Sequence, residues 1–99
     1  MNLTAWVLAD AIVECLSSAK ANNRAAWADW DLGGGNTLGV TVHLPQGPVT
    51  SQTIKVEAKF GPSGKVETVV IPYMRTQWDP TKVMPAARTI LRSFLKQAR

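Results

Sequence analysis

The sequence predicts a two-layer α+β domain of order α-β-β-β-α, a three-stranded antiparallel sheet with both helices packed on one of its faces. Three observations predict it. Apolar residues recur at spacings of three and four towards each end of the chain. Between them lie three runs that alternate apolar and polar residues. The tetrads Pro45-Gln46-Gly47-Pro48 and Gly61-Pro62-Ser63-Gly64 separate those runs as turns.

The first helix is expected from residue 3 to about residue 20. Leu8, Ile12, Cys15, Leu16 and Ala19 form its apolar stripe, flanked by Ala5 and Ala11, with Asp10, Glu14 and Ser17 opposite. Asn2 or Thr4 is the candidate cap, and Asn22-Asn23 the stop. Residues 24–32 are ambiguous. Ala26, Ala28, Trp30 and Leu32 alternate as in a strand, while Trp27 and Trp30 sit three apart as on a helix. They are taken as an irregular arm or edge strand, followed by a flexible turn or loop at Gly33-Gly34-Gly35.

The first sheet strand spans 38–44, with Leu38, Val40, Val42 and Leu44 on one face and Thr41 and His43 on the other. The second spans 52–60, with Ile54, Val56, Ala58 and Phe60 against Lys55, Glu57 and Lys59. The third spans 65–75, with Val66 and Val70 on one face and Val69 and Ile71 on the other; Pro72 places it at an edge. Asp79-Pro80 marks the start of the last helix, which Pro85 either bends or delays. Its stripe is Ala87, Ile90, Leu91, Phe94, Leu95 and Ala98. Trp78 is expected to plug the open end of the core.

The order α-β-β-β-α resembles that of double-stranded RNA-binding domains. Those domains carry a lysine cluster at the start of their second helix and a Gly-Pro-x-His loop between the first two strands. Here the helix start offers Lys82 alone, and the loop reads Leu44-Pro45-Gln46-Gly47-Pro48. The resemblance is one of topology.

Ninety-nine residues form a single domain, with a net charge of +4 and 45% apolar residues. No apolar run reaches membrane-spanning length. The first twenty residues carry Asp10 and Glu14 and no basic leader, so no secretory signal is expected. The single cysteine, Cys15, excludes an internal disulfide and suggests a reducing, cytoplasmic setting. No cofactor or metal site is expected. His43 is the only histidine, with no partner placed near it by sequence, and Cys15 lies inside a core stripe. The glycine run lacks the remaining residues of a phosphate loop. Without a nucleophile, a second histidine or paired acids, the chain is expected not to be an enzyme.

Binding is what remains, and the expected partner is a protein. Four tryptophans favour it. Trp27 and Trp30, alternating with Asp29 and Asp31, either fold both indoles back onto the core or make an acidic, aromatic arm suited to a basic partner surface. Small plain domains of this kind are common among phage and mobile-element products, many of them inhibitors of host defence such as anti-CRISPR proteins. By that association, an inhibitor or regulator in the host cytoplasm is expected. The alternative is nucleic-acid binding through Arg88, Arg92, Lys96 and Arg99, which share a sector of about 80° on the last helix, together with Lys55 and Lys59 of the sheet. Tyr73 is the only aromatic expected on the open sheet face, which counts against sheet-based RNA binding. A free sheet edge would also permit a homodimer by strand addition.

Overall fold

Thr4 opens the first helix. Its hydroxyl accepts from the Val7 N–H at 3.2 Å, and its carbonyl accepts from the Leu8 N–H at 3.0 Å. The hydroxyl satisfies a donor that a helix start would otherwise leave orphaned, and the carbonyl accepts the first bond of the helix ladder. The structure, a computed structural model, describes residues 3–45, 53–72 and 78–97. Helix α1 runs Ala5–Asn22. It ends where Asn23 turns left-handed, at φ 51°, and the Arg24 N–H reaches the Ala19 carbonyl at 3.2 Å.

Four strands follow, where the sequence pattern suggested three. They are β1 (Ala26–Gly33), β2 (Asn36–His43), β3 (Thr53–Phe60) and β4 (Glu67–Pro72), antiparallel in the order β1-β2-β3-β4. The correction lies in residues 24–36. The alternation of Ala26, Ala28, Trp30 and Leu32 governs, and the three-residue spacing of the tryptophans does not. Of the turn or loop expected at the glycines, the turn forms, as a tight hairpin. Gly34 and Gly35 both have positive φ, 62° and 79°, between the paired residues Gly33 and Asn36. That is the two-residue turn whose twist matches flanking strands, and glycine meets its demand at both positions. A bulge between Asp31 and Gly33 adjusts the register, and the Gly33 N–H bonds the Asp31 carboxylate at 2.9 Å. The order is therefore α-β-β-β-β-α, and the topological likeness to double-stranded RNA-binding domains lapses.

Register assigns the two sheet faces. Ala26, Val42, Val56 and Val69 form one row across the strands, and Ala28, Val40, Ala58 and Glu67 the next. Leu38, Val40, Val42, Ile54 and Val56 on this side are fully buried. Helix α1 packs over β1 and β2, α2 packs over β4, and the helices touch each other. One buried cluster joins them to the sheet, as a layer needs when it has a single apolar face.

Helix α2 runs Pro80–Gln97 without a break. The Asp79 carboxylate and carbonyl both accept from the Lys82 N–H, at 3.2 and 3.1 Å, and the Thr81 hydroxyl donates to the same carboxylate. The Thr81 hydrogen bond leads in holding the Asp79 carboxyl below its ordinary range. Pro85 lies inside the helix and is exposed. It removes only the bond to the Thr81 carbonyl, on a residue that is itself exposed, so the helix neither starts late nor stops there. Trp78 is buried in the core cluster, as a plug would be. Leu95 departs from the expected stripe. It is 61% exposed, and Val83, Met84 and Ala86 are buried with Ala87, Ile90 and Phe94 instead. Ala98 lies outside the described residues.

The turn between β3 and β4 is tied to α2. The Gln97 side chain accepts from the Lys65 N–H at 2.9 Å and donates to the Lys65 carbonyl at 3.2 Å and to the Glu67 carboxylate. Phe60 stacks on Phe94 beside it, with centroids 5.9 Å apart. A side chain at Gly64 would stand 2.2 Å from the Phe60 carbonyl oxygen, so the close approach of this turn requires glycine.

Candidate partner-binding faces

Two surfaces hold the residues singled out from the sequence, and they lie on opposite sides of the molecule. The first is the open face of the sheet. Odd-numbered residues of β1, β2 and β3 point there: Trp27, Asp29 and Asp31; Thr41 and His43; Lys55, Glu57 and Lys59. Trp27 is 73% exposed, the most exposed large apolar side chain among the described residues. It pairs with Thr41, which pairs in turn with Glu57. Trp30 has the opposite parity. It is half-buried and packed on the core, so the expected pairing of both indoles in one docking arm does not form. The open face also carries an aromatic that the sequence pattern did not place there. Trp27 fills the role considered for Tyr73, which lies outside the described residues.

Beside Trp27 is a notch. Asp29, Gly39 and Lys59 form one cross-strand row, and a Cβ at Gly39 would meet the Asp29 carboxylate at 2.9 Å. The missing side chain lets Asp29 lean over β2. Trp27, Asp29, Gly39, Thr41, Glu57, Lys59 and Val66 line the resulting shallow groove of about 250 Å³.

His43 is not without a partner. Its Nε2 contacts the Glu57 carboxylate on the same face. His43 faces Lys55 directly, so Glu57 is its diagonal neighbour, a relation fixed only by the register. Both side chains are partly solvated, and of the two only Glu57 lines the groove beside Trp27. Cys15 is buried, with its thiol directed at the Val40 carbonyl at 3.7 Å. Burial pushes that thiol up to about 11, and the Glu14 carboxylate adds to the effect. Among the described residues no three His, Cys, Asp or Glu side chains gather as a metal site would require.

The second surface is the outer side of α2. Arg88, Arg92 and Lys96 are exposed there, and the helix contains no acid. Among the described residues they form no ion pair with Asp10, Glu14 or any other carboxylate. Arg88 and Arg92, with Pro85, Thr89, Leu91 and Leu95, line a groove of about 480 Å³. Arg99 lies outside the described residues. Trp6 is exposed on α1, while Val13 packs partly on the core. Among the described residues no helix is long and apolar enough to cross a membrane.

No family model, curated protein or solved structure matched the chain in comparisons with known proteins.

Proposed function

We propose that the chain is a non-catalytic binding domain, an inhibitor or regulator that acts by occupying a protein partner through the open face of its sheet. The observation that carries this is Trp27: a large indole, 73% exposed, standing on a regular sheet face beside an open groove. Exposing an indole to water is costly, and tryptophan is the residue most enriched where binding energy concentrates. The charge of this face favours a protein over a polyanion. Asp29, Asp31 and Glu57 on β1–β3 outnumber Lys55 and Lys59.

The outer side of α2 supports a second reading, contact with nucleic-acid phosphates, because its cations stand without acids among them. One experiment separates the two. The immobilised chain is presented to cell extract with and without nuclease treatment, alongside Trp27→Ala and a triple Arg88→Glu, Arg92→Glu, Lys96→Glu variant. The proposal expects a captured protein that survives nuclease and the triple variant but is lost with Trp27→Ala. Recovery of nucleic acid alone, abolished by the triple variant, overturns it.

A further inference from the structure

We propose that the outer edge of β1 takes up an extended basic segment of a protein partner as a fifth strand. This rests on the reading of the sheet face as a protein-binding surface and names the chemistry of the partner. β1 is the first strand of a linear four-strand order, and no described strand pairs with its outer edge. It spans eight residues, Ala26–Gly33, with main-chain donors and acceptors on alternate residues directed away from β2. The opposite edge is poorer: β4 has six residues, and Pro72 lacks an N–H.

Natural edges are commonly guarded by lysine, proline or inward-pointing charge. Described β1 has no lysine, proline or inward-pointing charge; its bulge lies at the far end, between Asp31 and Gly33, and its own charges are the carboxylates of Asp29 and Asp31. On the solvent side it carries Trp27, Asp29 and Asp31 at every second position, all exposed, with Ala26, Ala28 and Trp30 turned towards the core. An added strand has the same repeat of two, so alternate side chains of the newcomer fall beside these three. Lysine or arginine at those positions meets two carboxylates and an indole face, all of which attract cations. The described cations nearest the strand, Lys59 and Arg24, are not placed to fill that role. Lys59 stands two strands away, across Gly39, at about 10 Å by the strand spacing. Arg24 precedes the strand and is exposed.

A second copy of the chain is a poorer occupant. Antiparallel pairing of two β1 edges centred on Asp29 would set that carboxylate against its own copy. A nucleic acid would bring phosphates to Asp29 and Asp31.

The test titrates the full chain with two heptapeptides, one alternating Thr with Lys and one alternating Thr with Glu, followed by the backbone amide signals and the Trp27 indole signal. The Lys peptide is expected to shift Ala26–Gly33 and the indole, and to bind at least tenfold more tightly than the Glu peptide. Asp29→Asn with Asp31→Asn keeps side-chain shape and is expected to weaken the Lys peptide tenfold or more. Three results overturn the inference: equal binding of both peptides, shifts confined to another element, or unchanged affinity in the Asn variant. Concentration-dependent dimerisation through β1, or the same shifts produced by a single-stranded oligonucleotide, also overturns it by assigning the edge to another occupant. Failure here is distinguishable from failure of the proposed function. A partner captured through Trp27 but indifferent to the Asn variant leaves the protein-binding face standing and removes only the basic strand.

Discussion

Cys15 shows how a single side chain records its surroundings. It is a buried thiol between helix and sheet, and the fold holds it neutral. Its folded value, about 11, stands above the ordinary value of 9.0, so above that ordinary value the unfolded chain gives up the proton first. The stability that depends on the protonated thiol is fully present below the unfolded value. It falls as pH rises through the interval up to about 11. Urea denaturation at a series of pH values should therefore show a steeper alkaline loss for the native chain than for Cys15→Ala. The native thiol should also resist alkylation at pH 8 until the chain unfolds. The sequence made Cys15 legible because it falls in a periodic apolar stripe. His43 was not legible in the same way. Its contact with Glu57 joins residues 14 apart through a diagonal of the β2–β3 register. Nothing local to His43 encodes that register.

Among the elements, both helices and the three alternating strands could be read from the sequence, because each has a long apolar period. β1 could not be settled there. Two of its inward residues are alanines, which give a weak apolar signal, and its two tryptophans have opposite parity, one packed inward and one exposed. Leaving β1 out of the sheet also hid the main feature of the open face, since Trp27 becomes a sheet residue only once Ala26, Ala28 and Trp30 are paired with Val42, Val40 and Leu38. The link between α2 and the β3–β4 turn was equally invisible, because it depends on one polar side chain reaching 32 residues back. The Gln97 amide serves Lys65 as a neighbouring strand would, with one acceptor and one donor. Gln97→Ala is expected to cost about 1–2 kcal/mol for the lost hydrogen bonds. Amide exchange at Lys65 should rise in step, while exchange within β2 changes only as far as global stability falls.

Across the whole molecule, the buried side of the sheet carries stability, and the proposed function assigns recognition to its open side. Ile54 is fully buried, and Ile54→Ala should cost about 2–5 kcal/mol in urea denaturation, a large share of the roughly 5–15 kcal/mol typical of a domain. Trp27→Ala, on the other side of the same sheet, should stay within about 0.5 kcal/mol of the native chain. A result reversing that order would mean that the sheet faces are wrongly assigned.

The placement of α2 bears on truncation. It is the last of the described elements in chain order, yet it covers β4 and rests against α1, the first of them. Without α2, the apolar side of the sheet lacks the cover that Val83, Ile90 and Phe94 provide. A chain truncated after Pro72 is therefore expected to expose hydrophobic surface and to aggregate where the full chain stays dispersed, which light scattering would check.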